Sequence, residues 1–163
     1  NSTVRVPRNI RVQVSTNVID YVTMTYYVRC VLPSEWIASW GSYTGGSNSL
    51  NAGAVAARCY AIAKLNAASG TSTYDICDTT SCQVYNPAKI NVAYTDPAVY
   101  FTDNWVVISS GGTIPSTEYS AENNSLNCTV PADCSCGDGW TQPTGGCIFD
   151  PVCAGRTRSG SPT

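Results

Sequence analysis

The first stretch of the chain alternates apolar and polar side chains, most clearly in Ile10-Arg11-Val12-Gln13-Val14, and residues 4–31 are rich in Val, Ile, Thr and Tyr. That period of two, in β-branched and aromatic residues, predicts strands, including one at Tyr26-Tyr27-Val28. From Asn48 the period lengthens. Leu50, Ala54, Ala57, Ala61 and Leu65 recur at helical steps with Val55, Cys59 and Ile62 beside them. The spacing predicts one principal helix over about 49–66, capped by Ser47, Asn48 or Ser49 and favoured by its Ala-rich middle.

Residues 67–73 read as a turn-rich connection. Short strands are then expected at 76–85, 90–94, 99–101 and 105–108, broken by Asn86-Pro87, Asp96-Pro97 and Gly111-Gly112. The fold class is therefore α+β, strand-rich with one principal helix. Beyond Cys128 the chain turns to Cys, Gly, Pro and Asp without periodicity, which predicts a disulfide-rich C-terminal loop region. We divide the chain into a main domain over 1–127, with residues 1–14 as an N-terminal strand open to exchange with a neighbour, and a module and tail over 128–163. No repeat at a fixed period is evident.

Composition narrows the setting. The chain has 163 residues, 12% charged, with a formal net charge of -2. Nucleic-acid binding needs clustered Lys and Arg, and no such patch is visible, so no nucleic-acid partner is expected. Nine cysteines and no histidine point to disulfides in an exported protein rather than to a metal site. Cys30, Cys59, Cys77, Cys82, Cys128, Cys134, Cys136, Cys147 and Cys153 are all disulfide candidates, and the odd count leaves one over. Asn1, Asn123 and Asn127 open N-x-S/T sequons compatible with glycosylation. With no apolar run long enough to span a bilayer, an already processed extracellular or cell-surface protein is the expectation, without cofactor or metal.

Candidate chemistry centres on Glu35, one of only three glutamates. It is expected to follow a strand, and it lies beside Trp36 with Trp40 and Tyr43 further on. A carboxyl group next to large apolar rings is poorly solvated as an anion, which suits it to act as an acid, and such rings fit the apolar faces of a sugar. On these features alone, a surface Glu next to core tryptophans is the plainer reading.

Three ordered motifs add to this. Tyr27-Val28-Arg29-Cys30-Val31-Leu32-Pro33-Ser34-Glu35-Trp36 is followed by Ser49-Leu50-Asn51-Ala52-Gly53-Ala54-Val55-Ala56-Ala57-Arg58-Cys59-Tyr60-Ala61, and then by Tyr74-Asp75-Ile76-Cys77-Asp78-Thr79-Thr80-Ser81-Cys82-Gln83-Val84-Tyr85. Together they resemble the signature segments of the stage II sporulation protein D family over about residues 8–122. The resemblance implies a cell-wall enzyme or modulator acting on peptidoglycan glycan strands as a lytic transglycosylase. Glu35 stands at the family's acid position and Arg58 at its helix arginine. Asn51 and Arg58, seven residues apart, share a helix face that is expected to point to the groove holding Glu35.

The chain also departs from that pattern. Asn51 stands at the family's lysine, Gly53 at its glutamine, and Ser81 at a histidine that binds zinc in some relatives, leaving Cys77 and Cys82 close enough in sequence to bond to each other. These departures favour a non-catalytic structural subunit of a cell-surface polymer, whose partners would be copies of itself joined through the N-terminal strand. The alternatives are a lytic transglycosylase using Glu35 as acid/base, with Arg58, Asn51, Trp36, Trp40 and Tyr43 contacting glycan, and a non-catalytic glycan-binding module.

Overall fold

The computed structural model describes residues 4–68, 70–79 and 81–117. Strand β1 (Asn9–Ser15) pairs antiparallel with β2 (Val18–Thr23), Ile10 opposite Val22 and Val12 opposite Asp20. The two-residue β3 (Ile76–Cys77) adds in parallel on the other side of β1, giving the order β2-β1-β3. β1 is thus the central strand, and its alternation buries Ile10 and Val12 completely. The segment expected to be open to exchange pairs, from Asn9 onward, within its own chain.

Helix α1 (Met24–Glu35) follows β2 directly. Its N-cap is Thr23, whose hydroxyl accepts from the Tyr26 amide at 3.2 Å. Tyr26-Tyr27-Val28 is therefore helix and not strand. The reason is readable in the burial: Met24, Tyr27, Val28, Val31 and Leu32 recur at helical spacing and are all buried. Tertiary burial of that stripe outweighs the β-propensity of its residues. Pro33 lies in the last turn of α1, and the Trp36 amide closes the helix on the Leu32 carbonyl at 2.8 Å. Glu35 consequently ends a helix instead of following a strand.

A short 3-10 helix (Ala38–Ser42) leads to α2 (Gly46–Ala67), the principal helix. It begins a few residues earlier than its apolar period suggests, and its N-cap is Gly45, in the left-handed region at φ 76, rather than Ser47, Asn48 or Ser49. Gly46 is required next, since a Cβ there would stand 1.7 Å from the Trp40 carbonyl oxygen. Leu50, Ala54, Ala57, Ala61 and Ile62 form the buried stripe, whose small side chains let α2 lie close to α1.

Three further expected strands are absent. Of residues 76–85 only Ile76–Cys77 is strand, while 90–94 and 105–108 have no regular strand structure. Residues 99–101 belong to α3 (Thr95–Phe101). The Asp96-Pro97 pair, which suggests a break, sits in the first turn of that helix, where proline costs no hydrogen bond and an acidic residue meets the positive end of the dipole. The described domain is mixed α+β, with a small three-stranded sheet and three helices, and is not strand-rich. Two ion pairs tie it together: Arg11 to Asp75 at 2.6 Å and Arg29 to Asp96 at 2.7 Å. No helix among the described residues is long and apolar enough to cross a membrane.

The expected C-terminal module, its five cysteines (Cys128, Cys134, Cys136, Cys147 and Cys153), the boundary at 127 and the sequons at Asn1, Asn123 and Asn127 lie outside the described residues. Of the other four cysteines, Cys77 and Cys82 are bonded. Cys30 and Cys59 are not: both are free thiols, fully buried on α1 and α2. Cys30 packs as a small apolar side chain in the core, while Cys59 Sγ accepts the Val107 amide at 3.2 Å. Burial pushes the Cys30 thiol up to about 11, against the opposing effect of hydrogen bonds with Tyr26 and Tyr85.

Candidate functional site

Glu35 is half-buried at the C-terminus of α1, and its Oε1 accepts the Val84 amide at 2.7 Å. Val84 belongs to a segment anchored residue by residue. Next to it, Gln83 is buried, accepting the Tyr27 hydroxyl at 2.9 Å and donating to the Ala57 carbonyl at 3.3 Å, so it joins α1 to α2. On the other side, the Tyr85 amide donates to Asp78 Oδ1 at 2.7 Å. The Tyr85 ring stacks on Tyr27 with centroids 5.6 Å apart, and its hydroxyl bonds to Asp20 at 3.2 Å. The Cys77–Cys82 disulfide closes the loop that precedes these residues, and the Cys77 amide points at Cys82 Sγ at 3.2 Å. The carboxyl group is therefore aimed by a stapled loop and not left to sample rotamers at a helix end.

Trp36 continues from Glu35 and packs against the core. Its indole lies directly on α2 at Gly53, where a Cβ would approach ring carbons to 2.7 Å. The glycine at this position thus makes room for the ring. Trp40 is half-buried in the short 3-10 helix, and Tyr43, which follows it, is 66% exposed. Asn51 sits half-buried near the start of α2, two residues before Gly53. Glu35 and Trp36 are thus brought to the N-terminal part of α2, and the chain from Trp40 to Tyr43 leads into that same end of the helix.

Arg58 is not part of that cluster. It is 1% exposed and lines a cavity with Thr23, Met24 and Thr25, at the start of α1, whereas Glu35 is the last residue of the same helix. At 1.5 Å rise per residue the two ends lie about 16 Å apart. Its Nη1 donates to the Trp105 carbonyl at 2.9 Å, which fastens α2 to the chain after α3. Burial lowers its pKa, partly offset by the nearby Asp103 carboxylate. Sharing a helix face with Asn51 does not bring Arg58 to Glu35, because two turns of α2 carry it to the far end of α1.

Other supporting residues escaped the sequence reading. Arg29 bonds Asp96 through Nε and Nη2, bonds Asn91 through Nη2, and lies 5.3 Å from the centroid of the Tyr100 ring, so it docks α3 on α1. Gln83 and Asp78 stand inside a quoted motif, yet only the fold reveals that they carry Val84 to Glu35. Among the described residues no group of three or more His, Cys, Asp or Glu is placed to hold a metal ion. Cys77 and Cys82 are committed to each other, with Ser81 between them in sequence.

The described residues thus form a mixed α+β domain that holds one carboxyl group at a helix end, next to Trp36 and bonded to the segment that follows a disulfide-closed loop. The family model described as SpoIID, stage II sporulation protein, matches residues 12–108, and the chain belongs to that family. The match takes in the second half of β1, helices α1, α2 and α3, and the segment that carries Val84. No curated protein matches the chain.

Proposed function

We propose that this domain binds the glycan strands of peptidoglycan outside the cell and opens them with Glu35 as a single acid/base. The observation that carries the reading is the hydrogen bond from the Val84 amide to Glu35 Oε1, which holds the carboxyl group in one orientation. Among the described residues, Oε2 has no hydrogen-bond partner and is left for substrate. In the reaction implied by the family, a protonated Glu35 gives its proton to the glycosidic oxygen as the C–O bond breaks. The sugar's own 6-hydroxyl then attacks the anomeric carbon while the same carboxylate takes the hydroxyl proton. One carboxyl group serves both steps, so no second carboxylate at hydrolase spacing is required. Trp36, Trp40 and Tyr43 supply apolar faces for the sugar rings, and Asn51 a neutral hydrogen-bonding group at the edge.

A disulfide among the described residues is compatible with the extracellular setting this substrate demands. The alternative of a polymer subunit draws on a free N-terminal strand; within the chain β1 pairs with β2 along its length and with β3 at Val12 and Gln13. Incubating the protein with purified peptidoglycan and analysing the soluble products by mass spectrometry tests the proposal. Anhydro-sugar muropeptides are expected from the wild type, and at least about 10²-fold less from Glu35→Gln. Binding without products in both proteins would leave a glycan-binding module, and neither binding nor products would overturn the reading.

A further inference from the structure

At the end of α1 remote from Glu35 lies a cavity of about 270 Å³, lined among others by Arg8, Thr23, Thr25, Arg58, Asp103 and Asn104. Two cations face one anion there, leaving a surplus of one positive charge. Arg58 is buried, its Nη1 is satisfied by the Trp105 carbonyl, and its Nη2 finds no hydrogen-bond partner among the described residues. A buried guanidinium nitrogen without an acceptor is costly, and the usual remedy is a charge-assisted bond to an oxyanion. The start of α1 lies in the same wall, and its first turn contains no acidic residue to answer the positive end of the helix dipole.

Asp103 does not fill this role. Its oxygens accept from the Thr25 hydroxyl at 2.8 Å and from the Asn104 amide at 3.1 Å, and its side chain stands exposed at the rim. It offsets part of the charge on Arg58 from a distance without bonding to it. A monoanion brings the cavity to neutrality, whereas a dianion leaves a negative excess next to Asp103.

We propose that this cavity is a binding site for a small monovalent carboxylate, held by Arg58 and Arg8, with Asp103 restricting it to a single negative charge. The site is separate from Glu35 and does not depend on glycan cleavage. Carboxylate-terminated peptides and free carboxylic acids share the chemistry it recognises.

The test is a titration of the full chain with sodium acetate against sodium chloride at matched ionic strength, followed through the amide resonances of Thr25 and Asn104. Inorganic phosphate is the second probe, at a pH where it is mostly dianionic. Acetate is expected to produce saturable shifts. Because Arg8 and Asp103 are exposed, Arg8→Gln and Asp103→Asn leave the fold intact. The first should weaken acetate binding about threefold or more and the second tighten it by about the same factor, as charges near a protein surface do. The proposal is overturned by shifts that do not saturate, by equal binding in Arg8→Gln, or by phosphate dianion binding as tightly as acetate.

Discussion

The two ends of α1 treat their charged side chains in opposite ways. At the C-terminal end, Glu35 is half-buried, bonded through one oxygen to a backbone amide and backed by a closed loop. At the N-terminal end, Arg58 from the neighbouring helix is sealed in the core, with one nitrogen on a carbonyl and the other unsatisfied among the described residues. The first arrangement fixes a direction while leaving the group reachable. The second anchors the chain after α3 and keeps a charge buried in the wall of a cavity. Both residues lie in signature motifs, so membership in a motif does not by itself separate a reacting group from an anchoring one. Access and partners do.

The largest expected effect separates the ends by activity. Glu35→Gln should lower anhydro-muropeptide release by about 10²- to 10⁴-fold, the usual contribution of a general acid, while its urea-unfolding midpoint stays close to wild type. At the other end the order reverses, and stability is what changes. Arg58→Ala should destabilise the domain by about 2–4 kcal/mol, through lost packing and an orphaned Trp105 carbonyl. Arg58→Met, which keeps much of the volume and removes the unpartnered Nη2 but likewise orphans the Trp105 carbonyl, should cost clearly less than Arg58→Ala. Urea denaturation of both variants checks this, and equal losses would show that the charge, not the packing, is the anchor.

The stapled loop gives the next effect. Replacing Cys77 and Cys82 together by Ser should cost about 2 kcal/mol for so short a loop and should speed hydrogen exchange of the Val84 amide more than that of core amides in α2. If Val84 exchange is unchanged, the disulfide does not hold Glu35 in place.

Alkaline pH bears on the core between the two ends. With the Cys30 thiol raised to about 11 in the folded state, an unfolded chain ionises first. Stability from this group is therefore complete below the ordinary thiol range and falls as pH rises from about 9 towards 11. Tyr85, also raised by burial, adds to the fall in the same direction. Urea midpoints measured through this range should drop less steeply in Cys30→Ala than in wild type.

The smallest effect belongs to Gly53→Ala. A methyl group at that position displaces the Trp36 ring, but alanine favours the helix by about 1 kcal/mol over glycine. The net stability change should stay within about 1 kcal/mol, with Trp36 fluorescence shifted to the red as the ring moves into solvent. An unshifted spectrum would show that the ring is accommodated without leaving α2.

Much of the fold was legible where one physical signal acted alone. The alternation at Ile10 and Val12 marks a half-buried strand, and the stripe from Leu50 to Ile62 marks a helix. The errors fell where two signals competed. Tyr26-Tyr27-Val28 carries β-propensity, yet Met24, Tyr27, Val28, Val31 and Leu32 carry a helical period after a Thr cap, and the period prevailed. Asp96-Pro97 resembles a break, although the same pair opens a helix equally well. For the site, Glu35 and its aromatic neighbours are adjacent in sequence and so could be named together. Val84 is 49 residues away from Glu35, and no local pattern announces a backbone amide as a partner.

By itself the sequence determined the family, a strand at Ile10 to Val14, the principal helix, Cys77 and Cys82 as a pair near enough to bond, and Glu35 as the carboxyl group to watch. These follow from short-range patterns and motif order. Only the tertiary structure decided that Cys30 and Cys59 are buried thiols, that Arg58 lies at the end of α1 away from Glu35, and that Val84 orients the carboxyl group. Each of those depends on where helices and loops meet in space, and packing sets that meeting through contacts between residues far apart in the chain.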